Sequence, residues 1–290
     1  MTLVGWIPVS VSESAVEWRY LPGRRFTEPF FEDTLGRAPR GEPRRTTLEA
    51  AAEWVAGHQG LEPSGFVFHM SRCGSTLVSR MLAAVEENRV MSEPLPVDDA
   101  IKLGDPAALR TVVGALGQPA AGETRFFLKF DCWHIHDYEL IRRVFPRTPA
   151  IFLYRQPIEV LVSQLCEPGL WTLPLTAVVA REQHVAALLE AILRSALKHA
   201  DTVRLVNYTE LPSAVHGLFG MVWTPAQVEC MRRAALWDAK NPYFEFAADS
   251  EAKRAAATAR AREAVVPLTE LYKRLEAIRG ERSGRSPNRP

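Results

Sequence analysis

Apolar residues bunch into five short runs, near positions 66–69, 90–93, 125–130, 150–154 and 203–207. Between these runs the apolar positions shift to helical spacing, near 75–87, 106–117, 135–144, 157–166 and 177–200. A short continuous apolar run reads as a buried strand and a three-and-four spacing as an amphipathic helix. Their alternation predicts a single α/β domain with a mostly parallel central sheet flanked by helices on both faces. Upstream, Thr47 to Ala56 reads as a short helix capped by Thr46 or Thr47. Residues 1–47 show no clear period, but Trp18 and the run Phe26-Thr27-Glu28-Pro29-Phe30-Phe31 predict an extended arm held on the main body by its aromatics. Downstream, 225–235 and 252–279 are helical in pattern, with an interruption at Pro267. Residues 280–290 are polar, basic and rich in Gly and Pro, the composition of a frayed tail. The expected organisation is an arm over 1–47, an α/β domain over 48–279 and a flexible basic tail over 280–290.

Composition narrows the class without choosing a function. At 290 residues, 47% hydrophobic and 24% charged, the chain can bury a full core. A net charge of +1 gives no global attraction to nucleic acid or an acidic membrane. No apolar run reaches the roughly 18 residues that span a bilayer, and the first residues lack the basic segment of a signal peptide. Cys73, Cys132, Cys166 and Cys230 are scattered without a C-x-x-C pair, which implies neither zinc nor a disulfide framework and fits a reducing cytoplasm.

Candidate chemistry begins where the first apolar run ends. Phe66-Val67-Phe68-His69 passes into Met70-Ser71-Arg72-Cys73-Gly74-Ser75-Thr76 and then into helical spacing. Amides at the start of a helix lack internal partners and carry the positive end of the dipole, so this turn suits an anion. Arg72 adds a full charge, and Ser75 and Thr76 add hydroxyl donors. The triphosphate-binding form of such a loop, G-x-x-x-x-G-K-[ST], is not met, because the Lys and the first Gly are missing. A second segment, Ala150-Ile151-Phe152-Leu153-Tyr154-Arg155-Gln156-Pro157, puts an Arg fork at a strand end and Ser163 two helical turns further on, with Pro157 in a first turn where no N–H is needed. A third, Arg89-Val90-Met91-Ser92-Glu93-Pro94, points a carboxylate toward the carboxyl edge where parallel sheets bind ligands.

Together these segments resemble the PAPS-dependent sulfotransferase family of the P-loop, bacterial type, over roughly residues 65 to 212. The resemblance implies that Ser71, Arg72, Cys73, Gly74, Ser75 and Thr76 form the 5′-phosphosulfate loop, and that Arg155 and Ser163 grip the 3′-phosphate of 3′-phosphoadenosine 5′-phosphosulfate (PAPS). Glu93 stands where members of the family place a catalytic carboxylate, and is expected to act as general base toward the acceptor hydroxyl. Lys129-Phe130-Asp131-Cys132-Trp133-His134 resembles the family's Lys-Thr-His stretch, with Asp131 at the position of the histidine. Lys129 is then expected to contact substrate or the sulfuryl group, with His134 as runner-up base. His58, His69, His184, His199 and His216 show no ligand spacing and read as structural. Tyr208, in a weaker echo at 203–212, could approach the adenosine.

The activity so implied is sulfuryl transfer from PAPS to a hydroxyl of a small-molecule acceptor, leaving adenosine 3′,5′-bisphosphate, with no metal required. The arm over 1–47 and the 168–200 region, above all Pro168 to Pro174, are expected to wall the acceptor side. Two other readings stay open: a nucleotide-dependent phosphotransferase using Arg72 in place of the usual Lys, and a nucleotide-binding module without catalysis.

Overall fold

The arm without a period is a regular structure. In the computed structural model, which describes residues 2–58, 60–173, 180–238, 244 and 249–284, strands β1 (Trp6–Val11), β2 (Val16–Tyr20) and β3 (Arg44–Thr46) pair antiparallel in that order, and helix α1 (Phe31–Arg37) lies between β2 and β3. This corrects the expectation of an extended arm. The aromatics do anchor it: Trp18 is fully buried, donates from Nε1 to Thr46 Oγ1 at 2.9 Å and meets Trp54 edge-on, while Phe26 and Phe31 stack at 5.4 Å. Along β2, buried Val16 and Trp18 alternate with more exposed Glu17 and Arg19, the two-residue period of a half-buried strand.

Helix α2 (Leu48–Gly57) starts as expected, with the Thr47 side chain accepting from Ala50 N. The domain then continues through β4 (Pro63–His69), α3 (Ser75–Ala83), β5 (Asn88–Ser92), α4 (Leu95–Lys102), α5 (Pro106–Leu116) and β6 (Arg125–Lys129). A 3₁₀ turn over Cys132–Asp137 leads into α6 (Tyr138–Val144), followed by β7 (Ala150–Tyr154), α7 (Pro157–Cys166), α8 (Arg181–Lys198) and β8 (Arg204–Asn207). The chain ends in α9 (Pro225–Ala234), α10 (Ser250–Ala255), α11 (Ala259–Ala264) and α12 (Val266–Gly284).

All five predicted strands join one parallel sheet in the order β5-β6-β4-β7-β8. From the central β4 the chain leaves toward β5, whereas from its neighbour β7 it leaves toward β8. Right-handed crossovers in opposite directions put their helices on opposite faces, and a crevice opens between the carboxyl ends of β4 and β7. Phe66, Val67 and Phe68 in β4 are buried on both faces, as this central position requires.

Two local expectations change. Helix α4 is not foreseen, because the prolines of Glu93-Pro94-Leu95-Pro96 read as a turn; Pro96 lies in its first turn, where no donor is lost. The interruption expected at Pro267 falls just before it, at Val265 between α11 and α12, with Pro267 in the first turn of α12, but that helix continues to Gly284, into the expected tail. Residues 174–179, which belong to the expected acceptor wall and to the start of the helix predicted over 177–200, and 285–290 of the tail lie outside the described residues. No helix among the described residues is long and apolar enough to cross a membrane.

Candidate active site

The crevice between β4 and β7 is a cleft of about 840 Å³, and its floor is the turn from β4 into α3. Among the described residues only three other than glycine have a positive φ: Ser71 (69°), Arg72 (49°) and Glu93 (54°), all of them lining this cleft. Such conformations are disfavoured for L-residues and persist where the surroundings impose them, commonly at functional sites. Gly74, at φ 88°, caps α3, and a Cβ there would lie 2.8 Å from Leu211 Cδ1. The first bond of the helix runs from Val78 N to Gly74 O, so the amides before it have no intrahelical acceptor. The hydroxyls of Ser75, Thr76 and Ser163 line the cleft and make no hydrogen bond among the described residues. Arg72 spans the cleft mouth, its Nη1 3.0 Å from Glu167 Oε2, an exposed partner. Cys73 departs from expectation: its thiol is buried, donates to Leu153 O at 3.2 Å and is pushed by burial up to about 12, so this side chain belongs to the core.

At the edge beyond β5 and β6 lies a charged cluster. Glu93 N donates to Lys129 O at 2.8 Å, continuing the strand pairing, and this sets the Glu93 carboxylate 2.8 Å from the buried Lys129 Nζ and 3.3 Å from His69 Nε2. The ammonium makes no well-aligned hydrogen bond among the described residues and stands 4.8 Å from the centre of the Phe30 ring, contributed by the N-terminal arm. His69 Nδ1 accepts from Ser71 N, so the network assigns its proton to Nε2, which also reaches Phe130 O at 3.0 Å. His69 therefore ties the loop to the cluster, and burial lowers its pKa, favouring the neutral ring. Burial alone would raise the Glu93 carboxyl, but the Lys129 charge and the His69 hydrogen bond outweigh it and hold it at about 2.

Asp131 also lines the cleft and has a different environment. Burial first, and then the Glu93 charge, push its carboxyl up to about 7. His134, the runner-up base, is buried outside the cleft lining: Nδ1 accepts from Asp131 N and Nε2 donates to Asp98 Oδ1 at 2.9 Å. Both ring nitrogens are thus engaged within the protein, and neither faces the cleft as a base toward the acceptor would. Asp98, Asp131 and His134 bring their ligand atoms within 4.8 Å of one another. His134 has no free lone pair for a cation, and Asp98 also accepts from Trp133 and Lys102. Those hydrogen bonds lower the Asp98 pKa against its burial.

On the other wall, Arg155 is buried with its guanidinium 4.0 Å from the centre of the Tyr208 ring. Its Nε donates to Glu159 Oε2 at 2.6 Å, and its Nη2 to Asp249 Oδ1 at 2.6 Å and Ser250 Oγ at 2.9 Å. An anionic oxygen from the start of α10 thus sits on the fork expected to grip a phosphate.

The fold gathers Ser71, Arg72, Gly74, Ser75, Thr76, Glu93, Arg155 and Ser163 at one cleft. It turns the Cys73, Lys129 and His134 side chains away from the lining. His69 and Asp249 were not foreseen as site residues, and Asp131 entered only as a mismatch. The signal for Asp131 was present, a carboxylate at the end of an apolar strand, the same feature that singled out Glu93.

No protein-family model matches the chain, nor does any curated protein. Among solved structures, the chain is similar to the sulfotransferase domain from the curacin biosynthetic pathway at 14% identity, covering 73% of this chain and 99% of that one with a TM-score of 0.49. It is also similar to sulfotransferase STF1 from Mycobacterium tuberculosis H37Rv, at 12% identity over 64% of this chain and 75% of that one with a TM-score of 0.46. Sulfotransferase STF9 from Mycobacterium avium aligns at 15% identity over 75% and 80% with a TM-score of 0.46.

Proposed function

We propose that the protein is a sulfotransferase that moves a sulfuryl group from PAPS to a hydroxyl of a small-molecule acceptor. One observation carries this reading: a helix N-terminus whose first amides lack intrahelical acceptors and whose hydroxyls line the cleft faces, across it, a buried Arg fork on which a carboxylate already sits. Two anion positions of this kind fit a nucleotide bearing anions at both its 5′ and 3′ ends. The Ser71–Thr76 turn would hold the 5′ end. Gly74 lets Leu211 and Tyr208 pack directly against this turn, and the positive φ angles of Ser71, Arg72 and Gly74 set its backbone at the start of α3, where an anion is favoured. Arg155 and Ser163 would hold the 3′-phosphate after Asp249 yields its place. Tyr208, stacked on Arg155, adds an aromatic face beside it.

Arg72 is held by an ion pair to the exposed Glu167 carboxylate, of a kind worth about 0–1 kcal/mol, and by a hydrogen bond from Nη2 to Glu167 O, so an incoming anion has to compete with both. Its charge would then stabilise the oxygen that becomes negative as the sulfur–oxygen bond breaks. Lys129 acts from behind, fixing Glu93 rather than touching substrate. The acceptor side is walled by Phe30, Trp133, Leu170 and Trp171, which supports an apolar or aromatic hydroxylated molecule.

Calorimetry with adenosine 3′,5′-bisphosphate tests the reading. Binding is expected, with a stabilisation of about 2.7 kcal/mol at one hundred times Kd. Stabilisation by ATP with magnesium instead would favour the phosphotransferase, and by neither nucleotide would remove the nucleotide site.

A further inference from the structure

Lys129 and Asp131 are two residues apart on extended chain at the end of β6, so their side chains leave on the same side, Lys129 into the protein and Asp131 into the cleft. Glu93 lies across from them, tied to Lys129 by its backbone as well as its carboxylate. The two acidic residues of this edge thus have separate environments: Glu93 meets the buried Lys129 ammonium at 2.8 Å and His69 at 3.3 Å, whereas Asp131 lines the same cleft with, among the described residues, only His134 Nδ1, 3.8 Å away, beside its carboxylate. We propose that Asp131, not Glu93, accepts the acceptor's proton, and that Glu93 is a positioning residue which neutralises Lys129 and keeps Asp131 basic.

This rests on the sulfuryl-transfer reading above. In the step, the acceptor oxygen bonds to sulfur as its proton passes to an Asp131 carboxylate oxygen. The sulfur–oxygen bond of the donor breaks and its electron pair stays on the phosphate oxygen of adenosine 3′,5′-bisphosphate. The products are the sulfate ester, the bisphosphate and protonated Asp131, which loses its proton to water.

Basicity separates the two candidates. A general base works best with a pKa near the working pH. Asp131 is pushed up to about 7, whereas Glu93 is held at about 2, where it binds a proton too weakly to compete. The charged and titratable groups facing Asp131 include Glu93 beyond β5, Lys129 of β6, His134 of the following turn, and Asp98 and Lys102 of α4; Glu93 and Asp98 raise it, and His134, Lys129 and the Lys102 charge favour its ionised form. A carboxyl raised on folding contributes stability that is full below its unfolded value, about 3.9, and lost as the pH rises through about 7.

The experiment uses the full chain, with sulfuryl transfer from labelled PAPS followed over a panel of phenols, primary alcohols and water, and adenosine 3′,5′-bisphosphate binding measured alongside. Asp131→Asn should lower turnover about 10²–10⁴-fold at unchanged bisphosphate affinity. It should also abolish the rise of kcat/KM through pH 7, and raise the melting temperature above that of the wild type at pH 8 but not at pH 4. Asp131→Ala should recover transfer when formate is added. Wild-type activity and pH profile in Asp131→Asn, or no formate rescue of an inactive but folded Asp131→Ala, would overturn the role of Asp131. A wild-type protein that neither binds the bisphosphate nor transfers label would instead overturn the sulfuryl reading on which it rests.

Discussion

The guanidinium of Arg155 is bound on two sides by carboxylates that differ in burial. The Glu159 side chain is 2% exposed and is held also by Ser250 and Arg254, while that of Asp249 is 45% exposed. Stripping a buried charge of its partner costs about 3–5 kcal/mol, whereas an exposed pair contributes about 0–1 kcal/mol. Arg155→Ala is therefore expected to lose about 3 kcal/mol in urea unfolding as well as bisphosphate affinity. Asp249→Asn should leave stability nearly unchanged and tighten the bisphosphate, because the anion that competes for the fork is gone. Equal affinity of Asp249→Asn and wild type in calorimetry would mean that the carboxylate and the phosphate do not share the fork.

At the level of the element, the turn from β4 into α3 works through its backbone more than its side chains. Gly74 is needed twice, for a φ of 88° and for the close approach of Leu211. Gly74→Ala is expected to cost about 1–3 kcal/mol of stability, and to weaken the bisphosphate by more than Thr76→Ala does, since it moves the amides and not one hydroxyl. Urea unfolding and calorimetry on the two variants check this; a Gly74→Ala protein with normal stability and binding would contradict it. Cys73 has the opposite role, facing the core from the same turn and packing it onto β7.

Across the whole molecule, the N-terminal arm packs on the α/β core and contributes Phe30 to the cleft. It packs on α4 and α5, its Val11 N donates to Asp99 Oδ2, and Phe30 from the same arm covers the buried Lys129 ammonium. Trp18→Ala, which empties the fully buried indole space against Trp54, is expected to cost about 3–5 kcal/mol in urea unfolding of the entire chain. A separate early transition confined to the arm would show instead that it folds on its own.

Local signals carried through wherever the controlling physics is local. The strand Ala150–Tyr154 and the helix Pro157–Cys166 match the sequence expectation to the residue, since a continuous apolar run, an Arg at its end and a Pro in a helical first turn are all written in consecutive positions. The loop with Gly74 and the carboxyl-edge placement of Glu93 and Arg155 follow from the same kind of signal. What the chain could not disclose in one dimension is who neighbours whom. The pairing of β5 with β6 sets Glu93 against Lys129 and holds its carboxyl low, while Asp131 lines the cleft with its carboxyl pushed up. The hydrogen bonds that engage both nitrogens of His134 come from one near and one distant residue. The two-residue period in β2 was present, but a half-buried strand is stable only against partners and a core supplied from elsewhere, here β1, β3 and the helices beneath. Sequence thus determined the elements of the central sheet and the edge at which the chemistry gathers; the N-terminal sheet, basicity, ion pairing and the choice among neighbouring carboxylates depend on partners, burial and distance, which arise only when the strands pack.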